Sequence, residues 1–246
     1  MEKLPDDMKK ITSEFLKDIQ ETFGESLLSV ILYGAAVRGE KSKEPYITYM
    51  VIVKDNTPSE LARCTKYVKQ WYRKLITIPH FLRPDYITQS LDTFPLEFMD
   101  ISSSYHVVYG EDVLANLAYE ASDVRNECER ELKGKLLHLR AEYLNLHGDT
   151  KGLIDLVNRS LNTFRLLFSG ALYLKKRVIP QKTEALLDTV TEEYDLNAVF
   201  FKKLIAVGKG EIKVDNNEAD RLFDQYVEEL DKLSKEIDTL SLMEET

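Results

Sequence analysis

The sequence predicts an α+β chain, with a sheet and flanking helices over residues 1–115 and an all-α helical bundle over 116–246. Three observations carry this division. Two apolar, β-branched runs, 27–33 and 46–53, flank the glycine-opened stretch 34–39. That pattern reads as strand, tight turn with a short helix, loop and strand. Past residue 115 the strand-like runs stop, and apolar residues recur at helical spacing to the end of the chain. The 30% charged content suits long solvated helices, and 43% hydrophobic residues are ample for a core.

Taken in order, residues 5–23 form an amphipathic helix. Met8, Ile11, Phe15, Leu16, Ile19 and Phe23 recur on one face, Pro5 suits the first turn and Gly24 the stop. After the second strand, Thr57-Pro58-Ser59-Glu60 has the form of a capping box, opening a helix to about Lys74. Its buried stripe is Leu61, Cys64, Val68, Trp71 or Tyr72, and Leu75. Lys66, Lys69, Arg73 and Lys74 make its outer face partly basic, a solvated face or a phosphate-binding patch. His80, Arg83 and Pro84 lie in a turn-rich connection. Short strands are expected at 85–89 and, more clearly, at 96–101. A last strand follows at 105–110, with Glu111-Asp112 opening a helix.

The bundle is expected as helices over 120–147, 151–176, 182–193, 196–207 and from Asp215 to about 242. Gly148-Asp149-Thr150, Pro180 and Gly208-Lys209-Gly210 break them. Short loops between such helices predict an up-and-down arrangement. The stripe Leu222, Phe223, Tyr226, Leu230, Leu233, Ile237 and Leu240 is either bundle core or a surface for self-association or a protein partner, and core is favoured.

Composition also excludes. A net charge of −9 argues against general nucleic-acid binding, which needs a basic surface for phosphates. Cys64 and Cys128 give neither metal spacing nor a disulfide framework and read as buried thiols. His106, His138 and His147 have no zinc spacing with a third ligand nearby. No stretch reads as a signal peptide or a membrane span, so a cytoplasmic protein without a membrane partner is expected.

The stretch Gly34-Ala35-Ala36-Val37-Arg38-Gly39 and the strand that follows resemble the signature of the nucleotidyltransferase superfamily, the fold shared by DNA polymerase beta and kanamycin nucleotidyltransferase. The resemblance covers about 5–115 and implies a mixed sheet; over the bundle it is one of architecture only. In that family a strand ends in Gly-Ser, and a second strand carries two carboxylates at alternate positions. Alternate residues share one face of a strand. Two carboxylates there, joined by a third from a later strand, hold magnesium ions that bridge a triphosphate and activate a hydroxyl.

In this sequence Ala35 replaces the serine, and the two carboxylate positions implied by the spacing fall on Ile47 and Tyr49. No Asp or Glu lies anywhere from 46 to 53, so no shift of register restores the pair; Glu44 and Asp55 are eleven apart and cannot replace it. Glu97 or Asp100 would stand for the third carboxylate, on opposite faces of the expected strand. The resemblance thus implies a degenerate transferase without a metal. Gly34, Ala35, Arg38 and Gly39 would bind the phosphate of a nucleotide, or another small ligand, through backbone N–H groups and the guanidinium. One alternative is an active nucleotidyltransferase with a magnesium site rebuilt from Glu97, Asp100 or bundle carboxylates. A second is a non-catalytic interaction module. Arg140-x6-His147 falls within the loose spacing of HEPN ribonuclease domains, and a ribonuclease ranks below these readings.

Overall fold

The computed structural model describes residues 5–38, 46–146 and 148–240. The chain forms two compact units. One comprises residues 1–92 and 100–118, the other 93–99 and 119–246.

The first unit opens with α1 (Asp6–Phe23), which buries Thr12, Phe15, Ile19 and Phe23. These recur every three or four residues, so they form one face. Strand β1 (Leu27–Tyr33) leads into the four-residue α2 (Ala35–Arg38). Strand β2 (Thr48–Val53) pairs antiparallel with β1, with Tyr33 opposite Thr48, Leu32 opposite Tyr49 and Ile31 opposite Met50. The region expected as one helix from Thr57 to Lys74 is two, α3 (Pro58–Ala62) and α4 (Thr65–Arg73). The break has a local cause. Cys64 N–H bonds to Leu61 O and the Thr65 hydroxyl donates to Ala62 O at 2.7 Å. Tighter turns and a competing hydroxyl thus take carbonyls that a continuous helix would use. The capping box does not form either: Thr57 Oγ1 contacts Ser59 Oγ, and Glu60 pairs with Arg63 at 2.6 Å.

Strand β3 (His80–Leu82), which the sequence did not suggest, runs parallel to β2. Helices α5 (Pro84–Gln89) and α6 (Pro95–Ser103) then occupy the two segments expected as strands. In each the proline stands at the first helical position, where its missing N–H costs nothing. Strand β4 (Tyr105–Gly110) pairs antiparallel with the other edge of β1, completing the order β3-β2-β1-β4. The mixed sheet is therefore as expected. No helix opens at Glu111-Asp112. Asp112 instead accepts from the Tyr105 hydroxyl at 3.0 Å and from Leu114 N–H at 3.1 Å.

The second unit contains α7 (Ala121–Leu146), α8 (Thr150–Leu174), α9 (Thr183–Glu193), α10 (Ala198–Gly208) and α11 (Asn216–Thr239). All five helices lie where the periodicity puts them. The α11 stripe Leu222, Phe223, Tyr226, Leu230, Leu233 and Ile237 is buried in the core of this unit with Leu132, Leu136, Leu139, Phe164 and Phe201. Leu96 and Met99 of α6 belong to the same core. Gly170 on α8 is what allows this approach: a Cβ there would lie 2.3 Å from Leu96 Cδ2 and 2.6 Å from Cys128 Sγ. Among the described residues no helix is long and apolar enough to cross a membrane.

Candidate functional site

The candidate site starts where β1 ends. Gly34 has φ +85°, a left-handed conformation that glycine adopts freely. It turns the chain directly into α2. The N–H groups of Val37 and Arg38 both donate back to Gly34 O, at 3.0 and 3.2 Å. Those two donors are thus engaged inside the turn, while Ala35 and Ala36, at its head, have no acceptor within it. A four-residue helix also carries little macrodipole. The electrostatics of the turn therefore rest on Arg38, and Ala35 brings no hydroxyl. Gly39 and Glu44 lie outside the described residues.

Arg38 and Asp100, singled out separately in the sequence, are brought together. Arg38 Nη1 donates to Asp100 Oδ2 at 3.3 Å, and the two side chains are only 9% and 17% exposed. The Tyr33 phenol, which immediately precedes the turn, is pushed up to about 12 by burial and by the Asp100 carboxylate. It therefore stays protonated across the physiological range.

Strand β2 offers no carboxylate on either face. Ile47 and Tyr49 are packed under α1 and α4 with Val51, Val53, Phe15 and Trp71. Tyr49 has no exposure. Its ring stacks on Phe15 with centroids 4.1 Å apart, and its hydroxyl hydrogen-bonds with Thr12 Oγ1 at 2.8 Å. Burial pushes that phenol up to about 12, an effect the Thr12 contact partly offsets. The opposite face presents Thr48, Met50 and Ile52. Met50 and Ile52 are buried, as is their β1 neighbour Ile31.

Glu97 and Asp100 lie on a helix, not on a strand, and the structure sorts them apart. Asp100 belongs with Arg38 in the first unit, while Glu97 belongs with the second. There its neighbour is Glu127 of α7, a residue the sequence reading missed. Glu127 is 3% exposed; its Oε2 accepts from Leu96 N–H at 2.9 Å and its Oε1 from Arg130 at 3.3 Å. Burial raises the Glu127 carboxyl from 4.5 to about 7, the Leu96 N–H opposes this, and the Glu97 carboxylate adds to it. A signal existed, since Glu127 falls three residues after Val124, inside the buried stripe of its own helix. Among the described residues no three His, Cys, Asp or Glu side chains group as a metal site. Arg140 pairs with Asp231 at 3.7 Å, and His147 lies outside the described residues.

No family model matches the chain, and no curated protein does. Ten chains of known structure match it. One is spectinomycin adenyltransferase AAD(9) from Enterococcus faecialis, solved with ATP and spectinomycin. It shares 10% identity, and the match covers 94% of this chain and 99% of that one at a TM-score of 0.55. The chain therefore has the nucleotidyltransferase fold, with a mixed sheet and a helical C-terminal region.

Proposed function

We propose that this protein is a degenerate nucleotidyltransferase that binds a nucleotide phosphate at the turn around Gly34 and Arg38 without transferring it. The observation that carries the reading is β2. Tyr49, Val51 and Val53, with Ile47 just before the strand, lie on one side and Thr48, Met50 and Ile52 on the other, with no carboxylate on either. The magnesium pair that the fold family implies does not fit these donors. Hard divalent cations need several oxygen ligands at close range. Of the two candidate third carboxylates, Asp100 pairs with Arg38 and Glu97 lies beside Glu127. In phosphoryl and nucleotidyl chemistry the metals supply most of the charge stabilisation, and the protein mainly positions. A chain without them retains the positioning part.

Binding is supported by three features. Gly34 gives a turn with no side chain to obstruct an approaching phosphate, and nothing lies within 4 Å of where its Cβ would be. Arg38 supplies a guanidinium, whose planar fork suits phosphate oxygens. The fold is also that of an enzyme solved with ATP. The test is calorimetry with ATP, CTP, GTP and UTP, each with magnesium and again with EDTA. Binding that survives EDTA and falls at least tenfold in Arg38→Gln supports the reading. Binding that requires magnesium refutes it.

A further inference from the structure

Helix α4 is used by the fold on one side only. Towards α1 it is committed. Lys74 pairs with Glu14, the Trp71 indole N–H donates to Asp18 Oδ2 at 3.0 Å, and Lys66 pairs with Glu21 at 3.6 Å. Lys69, Tyr72 and Arg73 are exposed on the remainder of the helix. Lys69 and Arg73 are four apart, so they are neighbours on the helix surface, where like charges repel. Among the described residues neither forms an ion pair.

The end of the helix points the same way. Leu75 has φ +60°, in the left-handed region where glycine is the usual occupant after a last helical turn. The closure itself is regular. Leu75 N–H donates to Tyr72 O at 3.0 Å and Ile76 N–H to Trp71 O at 2.9 Å, with Ile76 and Trp71 both buried. The Leu75 side chain takes no part in that closure. It is 43% exposed, beside Tyr72 at 53% and Ile78 at 46%. Tyr46 is exposed as well, and its neighbour Ile47 donates its N–H to Leu75 O at 2.8 Å. A leucine in this conformation costs stability that a glycine would not, and its side chain returns little burial. Features that work against the fold in this way mark functional surfaces.

We propose that Tyr72, Leu75 and Ile78, rimmed by Lys69 and Arg73, form a docking surface for an acidic segment of a protein partner, one that carries Asp or Glu beside an apolar side chain. An exposed apolar centre with a polar rim is the make-up of a protein interface. Charge selects the occupant, because two cations without a counter-charge attract carboxylates and repel basic surfaces. It also disfavours a second copy docked face to face, since a two-fold axis would bring the same cations together. The net charge of −9 opposes an extended polyanion, such as a nucleic acid or an anionic membrane, more than a short acidic segment that meets only this patch.

The experiment selects binders on the full chain from a phage-displayed library of random short peptides. Calorimetry then measures the selected peptides against the native chain, Leu75→Gly, and a double variant with Lys69→Gln and Arg73→Gln. The expected result is that the peptides are rich in Asp or Glu, contain a large apolar residue, and bind both variants at least tenfold more weakly. Leu75→Gly should melt no lower than the native chain, because glycine suits the left-handed position, so its loss of binding is not a loss of fold. The proposal is overturned by peptides that bind the variants as tightly as the native chain, by peptides without acidic residues, or by an empty selection. A lower melting temperature in Leu75→Gly would show that the leucine serves the fold, and overturns it too. Vesicles of phosphatidylglycerol and a single-stranded oligonucleotide are measured alongside; binding to either of these in place of the peptides gives the surface to a polyanion and overturns the proposal. Sedimentation that finds a dimer dispersed by Leu75→Gly gives it to a second copy, with the same consequence.

Discussion

Glu127→Gln should flatten the pH dependence of stability in the second unit. Glu127 is an acid buried beside another carboxylate, with Leu96 N–H and Arg130 as its favourable partners. Its carboxyl is raised from 4.5 to about 7 in the folded chain, first by burial and then by Glu97. The sign follows from linkage. A carboxyl that is harder to ionise when folded favours the folded state at low pH, and that contribution disappears as pH rises from the unfolded value through the folded one. At about 1.4 kcal/mol per pH unit, the native chain should lose about 3 kcal/mol between pH 4.5 and 7 from this group. Glutamine imitates the protonated acid: its carbonyl still accepts from Leu96 N–H and its amide donates towards Glu97. Urea unfolding followed by circular dichroism at pH 5, 6.5 and 8 should therefore show a native chain that weakens with pH and a variant that weakens less. The variant should be the more stable of the two at pH 8, by roughly 1–3 kcal/mol once the lost Arg130 pair is deducted. A variant that keeps the full native pH slope, or is the weaker at pH 8, would refute the assignment of Glu127 as a buried, strained acid.

Tyr49→Phe keeps the stack on Phe15 but leaves the buried Thr12 hydroxyl without the tyrosine oxygen, and should cost about 1–2 kcal/mol in a denaturant melt. Nucleotide affinity should be unaffected, which calorimetry on the variant checks. Gly170→Ala places a Cβ against Leu96 and Cys128 and should destabilise by about 1–3 kcal/mol; an unchanged melting temperature would mean that α8 does not approach them so closely. Phe15→Ala removes the ring that Tyr49 and Trp71 both pack on and should cost about 3–5 kcal/mol by the same measurement.

The elements that were legible in the sequence are those with long or strongly patterned apolar runs. Helix α1, strands β1, β2 and β4 and all five bundle helices lie where hydrophobic spacing puts them. The failures are short. Segments 84–89 and 95–103 hold too few residues for their period to separate helix from strand, and the prolines at their heads were the better signal. Strand β3 has three residues and is formed by pairing with β2, a long-range contact that leaves little local trace. At the candidate site, the sequence supplied Gly34, Arg38 and Asp100 as separate positions. Their chemistry depends on α6 being a helix whose second half reaches Arg38, and a tertiary pairing across 62 residues is not written in either segment. Both faces of β2, by contrast, could be judged from the sequence, because a strand with no acidic residue lacks a carboxylate in any register.

Helix α6 bears on how this chain can be cut. Residues 93–99 belong to one compact unit although they lie between stretches, 1–92 and 100–118, that belong to the other. Its nine residues, fewer than three turns, are too short to persist alone in water. A fragment beginning near residue 119 would lack Leu96 and Met99, exposing the apolar surface around Cys128 and Gly170 and depriving Glu127 of the Leu96 N–H. The complementary fragment would carry Leu96 and Met99 with no bundle to bury them. No single cleavage of the backbone yields two whole pieces, so a protease nick after residue 118 should release fragments prone to stay associated rather than two independent proteins.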